Sequence, residues 1–132
     1  MYIPDGYGTV FPYMIVNDAN EFIDFLSKVF DAEEVGRTEF PGGRVANARI
    51  RIGTSTFMVG EADNENILPM PGSYYVYVED VDQTLEKAIG NGAVKLFDAA
   101  DMSYDDRQAG ITDPAGNAWW ISRRLVDASY DP

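Results

Sequence analysis

The sequence predicts an α+β fold: two βαβββ modules forming a curved mixed sheet around a cavity, with the helices outside. Three observations predict it. A strand pattern followed by a helix cap occurs twice, as Tyr13-Met-Ile-Val16-Asn-Asp18 and Tyr75-Val-Tyr-Val78-Glu-Asp80. The constant offset of 62 residues also takes Ile23 to Leu85. Each copy runs into an amphipathic helical stretch and then into three short strand segments. Finally, 132 residues at 45% hydrophobic content are one domain's worth of chain, with apolar side chains enough for a core.

In chain order, the first strand ends at Val16, and Asp18 with Glu21 has the spacing of a capping box, in which two side chains satisfy otherwise unpaired N–H groups. The helix that follows, about 19–31, gathers Phe22, Ile23, Leu26, Val29 and Phe30 on one apolar side. Strands are expected at about 33–40, 45–52 and 55–61, joined by turns at Pro41-Gly42-Gly43 and Gly53-Thr54. A linker of about 62–72 is rich in Asp, Asn and Pro. In the second copy Asp80 and Gln83 repeat the cap spacing. A helix of about 81–90 buries Val81, Leu85, Ala88 and Ile89, and Gly92 supplies a left-handed stop. Strands follow at about 94–98, 107–112 and 117–124, with Asp113-Pro114-Ala115-Gly116 read as a turn and nothing more. Residues 1–132 thus read as a single domain with modules at about 9–61 and 73–124.

Charge and residue usage narrow the function classes. Asp and Glu total 22 against 10 Lys and Arg, a formal charge of −12, which repels phosphate backbones and anionic lipid; neither nucleic acid nor membrane is an expected partner. Cys and His are both absent. There is then no disulfide framework, no Ser/His/Asp or Cys/His catalytic set and no imidazole metal ligand. Met1 runs almost at once into Pro4 and Asp5, so no signal peptide is expected and the cytoplasm is the default compartment.

Several stretches resemble a known family. Ile3-Pro-Asp-Gly-Tyr-Gly-Thr-Val10, Pro12-Tyr-Met-Ile-Val16, Phe30-Asp-Ala-Glu-Glu-Val35, Ala48-Arg-Ile-Arg-Ile-Gly53, Tyr77-Val-Glu-Asp-Val-Asp82, Asp106-Arg107, Asp113-Pro-Ala-Gly116 and Trp120-Ile-Ser122 follow the order and spacing of one branch. They are similar to the PhnB-like branch of the vicinal-oxygen-chelate (glyoxalase/bleomycin-resistance/dioxygenase) superfamily. The resemblance covers about residues 2–124 and implies the paired-module fold and a homodimer. Enzymes of the superfamily hold a divalent metal on four inward His, Glu or Gln side chains. Those positions fall here at Phe11, Met58, Ser73 and Trp120, none of them a competent ligand, so no metal and no cofactor is expected. Carboxylates such as Glu39 and Glu61 are the remaining route to a bound divalent ion.

Strand alternation then assigns the cavity wall. Phe11, Tyr13, Met58, Tyr75, Tyr77 and Trp120 line it, with Asn47, Arg49 and Arg107 as polar groups; Met14, Val16, Phe57, Val59, Trp119 and Ile121 face the helices. Aromatic walls with a few oriented donors suit a small ligand, and Arg among aromatic rings suits a planar or anionic one. The same residues also fit blander roles: an aromatic stripe as core or dimer interface, Arg49 and Arg51 as partners of surface carboxylates, Asp106 and Arg107 as an ion pair pinning a loop. The leading expectation is a metal-independent protein that binds or sequesters a small organic molecule. The alternatives are an enzyme, through a carboxylate-bound metal or metal-free Arg/Tyr chemistry, and a diverged structural or interaction module.

Overall fold

The computed structural model describes residues 1–130. The chain divides into two compact units, Met1–Pro71 and Gly72–Pro132, with the boundary inside the expected linker. The first contains β1 (Tyr13–Val16), α1 (Ala19–Phe30), β2 (Glu33–Glu39), β3 (Val45–Ile52) and β4 (Ser55–Glu61). The second contains β5 (Ser73–Tyr77), α2 (Val81–Gly90), β6 (Val94–Asp101), β7 (Asp106–Thr112) and β8 (Ala118–Arg124). Each unit is a four-stranded mixed sheet, ordered β1-β4-β3-β2 and β5-β8-β7-β6. The first strand of each module lies parallel to the last, and the other pairs are antiparallel. A parallel return needs a crossover, and the helix supplies it.

One face of each sheet is sealed by its own helix. In the first unit Met14, Val16, Ala48, Ile50, Phe57 and Val59 are buried with Phe22, Leu26 and Val29 of α1. In the second, Val76, Ala109, Ile111, Trp119 and Ile121 are buried with Val81 and Ala88 of α2. Full burial of such a side chain is worth roughly 1.5–3 kcal/mol, so these faces fix the register of β1, β3 and β4 in one sheet and of β5, β7 and β8 in the other. The edge strands β2 and β6 have no buried residue. The apolar side expected of α2 is narrower than predicted: Leu85 is half-buried and Ile89 is 43% exposed, while Thr84 is buried and donates its hydroxyl to the carbonyl of Asp80 at 2.8 Å.

The two helices start differently. Asp80 is extended and accepts the Gln83 N–H at 3.0 Å, an ordinary N-cap. Asp18 does not cap α1, contrary to the capping-box expectation. It sits in the left-handed region (φ 51°, ψ 58°), and its side chain makes no capping bond. Parallel pairing brings Glu61 of β4 opposite Val16, and its carboxylate takes the N–H groups of Asp18 (2.9 Å) and Ala19 (3.0 Å) instead. The linker is also built: Asp63 Oδ1 accepts the N–H groups of Glu65, Asn66 and Ile67, and Met70 N–H donates to Ile15 O. Those bonds hold the Asp63 carboxyl below its ordinary pKa, that from Ile67 most strongly.

Candidate functional site

The faces turned away from the helices carry the predicted site residues. Ladder pairing sets one row across each sheet. In the first unit it reads Tyr13, Met58, Arg49, Gly36, and in the second Tyr75, Trp120, Gly110, Phe97. The next row holds Asn47 in the first unit, and Tyr77, Ser122 and Gln108 in the second.

In the first unit the row is a polar shelf. The Arg49 guanidinium lies over Gly36, where a Cβ would come within 2.7 Å of Nη2. Among the described residues Arg49 has no carboxylate partner: it donates to Thr38 Oγ1 (3.3 Å), Asn47 Oδ1 (3.1 Å) and Asn47 O (3.3 Å). Asn47 Nδ2 in turn donates to Met58 Sδ at 3.3 Å. Tyr13 is exposed and its ring leans over Gly60, where a Cβ would meet it at 3.1 Å.

In the second unit the row is an aromatic ledge. Tyr75 and Trp120 are stacked, with centroids 6.4 Å apart and planes 14° apart, and Tyr77 continues the line at 6.3 Å from Tyr75. Tyr75 is 55% exposed. Beneath lies a polar foundation. Gln108 is buried, donates to Ser122 Oγ at 2.7 Å and accepts from the Tyr104 hydroxyl. Asp106 is fully buried, faces Arg124 Nη1 at 3.2 Å, and accepts from the Tyr77 hydroxyl at 3.0 Å and from the Tyr130 hydroxyl. Burial first, and then the neighbouring Tyr75, push the Tyr104 and Tyr130 phenols above the usual value, so both remain donors at neutral pH.

Two predicted residues stand elsewhere. Arg107 lies on the helix face of its sheet, since its neighbours Asp106 and Gln108 occupy the open one. It makes a two-pronged contact with Asp82 at the start of α2 (2.8 and 2.9 Å) and meets Asp101 at 3.0 Å. Those hydrogen bonds, Asp82's first, raise its pKa further and depress that of Asp82. The expected pairing of Asp106 with Arg107 is therefore replaced by Asp106–Arg124 and Arg107–Asp82. Phe11 precedes β1, which begins at Tyr13, and packs on Tyr7 with ring centroids 5.1 Å apart. Arg51 pairs with Glu33 as its bland role required.

Asp113 is more than a turn residue. It is buried, and its carboxylate accepts from Ala115 N–H (2.8 Å), Asn117 N–H (3.0 Å), Asn117 Nδ2 (3.1 Å) and Trp119 Nε1 (2.7 Å). Asn117 Oδ1 passes the linkage on to Gly72 N–H, tying β8 to the start of β5. Asp106, Gln108, Tyr104, Arg124 and Tyr130 were outside the predicted site. No pattern in β7 sets Asp106 and Gln108 apart, because buried residues occupy both of its faces.

The positions that would hold a metal do not fit one. Met58 is engaged by Asn47, Trp120 is stacked on Tyr75, and Phe11 and Ser73 offer a ring and a neutral hydroxyl. Glu61 spends both oxygens on the start of α1, and Glu39 lies 3.4 Å from Arg37. Among the described residues no three acidic side chains converge as a metal site. Two depressions in the first unit, about 390 and 290 Å³, are lined by Asn20 with acidic side chains and Arg44 or Arg37; the larger includes Glu61, and neither contains a residue of the predicted cavity wall. No helix among the described residues is long and apolar enough to cross a membrane.

Comparison with known proteins agrees with this architecture. An uncharacterized protein of Mycobacterium tuberculosis is 29% identical over 130 residues, covering 91% of this chain and 76% of its own length. TioX from Micromonospora sp. ML1 is structurally similar, with a TM-score of 0.72 at 22% identity over 86% of this chain and 96% of that one. The PhnB protein of Bacillus cereus matches with a TM-score of 0.69 at 17% identity, covering 88% and 99%. The profile of one family spans residues 9–121, and the chain belongs to it: the Glyoxalase/Bleomycin resistance protein/Dioxygenase superfamily.

Proposed function

We propose that this chain is a metal-independent binding protein for a small planar organic molecule, gripped by the aromatic ledge of the second module. The observation that carries the reading is the stack of exposed Tyr75 on half-buried Trp120, continued by exposed Tyr77, on a face without a helix. Large rings held in register are costly to leave in water, and they offer a ligand stacking surface at little entropic cost. The base of the ledge is braced by two pairs, Gln108 donating to Ser122 and Arg124 to Asp106. In the first module, Arg49 among neutral partners is the group suited to an anionic ligand, with Asn47, Met58 and Tyr13 around it. The order of the sequence motifs supports the PhnB-like branch, resemblance to that branch implies a homodimer, and a cytoplasmic setting is proposed with them.

The test uses 2-naphthol and 2-methoxynaphthalene, titrated calorimetrically against the full chain. Trp120→Ala should weaken both by roughly tenfold, the effect of truncating a central aromatic anchor. Equal binding by wild type and Trp120→Ala would place the ligand elsewhere and end the proposal.

A further inference from the structure

The seat of Tyr130 indicates what the ledge recognises. Asp106 has no exposed surface, yet it is not closed off by core side chains alone. Its Oδ1 faces Arg124, and its Oδ2 takes two phenolic hydroxyls, one from Tyr77 in the sheet and one from Tyr130 in the tail beyond β8; the two hydroxyls also touch each other. Arg124 organises that tail. Its Nε donates to Ala128 O at 2.8 Å, its Nη2 to Ser129 O at 3.0 Å, and its guanidinium lies 4.4 Å from the Tyr130 ring centroid. Every recognising group is fixed in the sheet, whereas the occupant belongs to a segment with no strand of its own. Tyr130 is also 48% exposed, so only its hydroxyl and one ring face are engaged.

That combination differs from core packing. A carboxylate that accepts two O–H groups, beside a guanidinium stacked on a ring, reads one chemical pattern: an aromatic ring bearing a hydrogen-bond donor. Tyr75, Tyr77 and Trp120 continue the surface away from this point. We infer that Asp106, Tyr77 and Arg124 form a phenol-binding subsite at the foot of the ledge, which Tyr130 fills from within the chain and from which a hydroxylated aromatic ligand displaces it. The inference rests on the proposed ligand-binding function and names its ligand class. An ether or carboxylate in place of the hydroxyl would leave the Asp106 oxygen facing an acceptor, and a site built around such a donor discriminates steeply against analogues lacking it.

Competition with an internal occupant lowers apparent affinity by the fraction of chains whose subsite is vacated. Removing the occupant should therefore tighten the ligand that uses the subsite and leave its etherified analogue unchanged. Tyr130→Ala in the full chain should bind 2-naphthol about tenfold more tightly than wild type does, with 2-methoxynaphthalene unaffected. Tyr130→Phe, which keeps the ring and loses the hydroxyl, should give a smaller gain of the same sign. Unchanged or weaker 2-naphthol binding by Tyr130→Ala, or the same gain for both compounds, would overturn the subsite. The ledge itself would survive that result provided Trp120→Ala still weakened both compounds. Absence of binding by either compound to any form would overturn the subsite and the ledge together.

Discussion

The two modules carry the same open-face row and fill it in opposite ways. In the first, the side chain lying across the sheet is Arg49, seated on Gly36 of the neighbouring strand; in the second it is Phe97, seated on Gly110. Position for position, Arg49 corresponds to Gly110 and Gly36 to Phe97, so the glycine and its cover have exchanged strands. The helix-facing positions show no such inversion. Phe57 and Trp119, Val59 and Ile121, Ala48 and Ala109, Ile50 and Ile111 are apolar and buried in both copies. A core face has one physical task, and a repeat keeps it. The open faces have diverged to a polar shelf around Arg49 in one copy and an aromatic ledge in the other.

The contrast is sharpest at Asp106 and Arg124, whose counterparts in the first module are Val45 and Ala62, all apolar and buried. Removing one partner of a buried ion pair leaves the other uncompensated. Asp106→Ala should therefore destabilise the chain by about 3 to 5 kcal/mol in urea unfolding. Val45→Ala deletes two methyl groups and leaves a small cavity, for about 2 kcal/mol. Were Asp106→Ala no costlier than Val45→Ala, the second module's polar foundation would be incidental to its stability.

That foundation is also where sequence reading ran out. Both helices and most of the inner strands were legible because their buried faces repeat with period 3.6 or 2, whereas β2 and β6, with no buried residue, were bounded by the turns beside them. In β7, however, Asp106, Gln108, Ala109, Gly110 and Ile111 are all buried, so both faces are covered and alternation carries no signal. A shift of one residue there moved Arg107 onto the wrong face. Tyr75, Tyr77 and Trp120 were legible because they lie on strands whose other face is plainly apolar. Tyr130 and Glu61 were not, since each acts through a contact distant in sequence: Tyr130 with Asp106, Glu61 with the start of α1. No local pattern announces such a pairing.

The inverted glycines give a second way to break the comparison. A Cβ on Gly110 would come within 2.2 Å of a Phe97 ring carbon, so the half-buried ring must shift from its seat to admit it. Gly110→Ala should cost about 2 kcal/mol, as overpacking does. A Cβ on Gly36 would meet only the guanidinium end of Arg49, which can swing aside, so Gly36→Ala should stay within roughly 0.5 kcal/mol of wild type. Combining Gly110→Ala with Phe97→Ala should recover part of the loss, because it removes the clash itself. Equal costs at the two glycines would show that the rows are not alternative solutions to the same packing problem.

The smallest expected effect is a pH dependence arising from three phenols of the second module. Burial, and then the Asp113 carboxylate, push the Tyr74 phenol above its ordinary pKa, and burial does the same for Tyr104 and Tyr130. Below about pH 10 these phenols are protonated in both the folded and unfolded states, so they impose no slope on stability. Above it the unfolded chain releases protons that the folded module still holds, and stability falls as pH rises toward the raised folded values. Both tryptophans, Trp119 and Trp120, lie in this module, so their fluorescence reports its unfolding selectively. Urea midpoints followed by tryptophan emission should fall between pH 9 and pH 11, and Tyr74→Phe should shrink that fall. A fall of the same size in Tyr74→Phe would remove Tyr74 as a source of the dependence, and its absence in wild type would mean that none of the three phenols holds its proton more tightly in the folded module than in the unfolded chain.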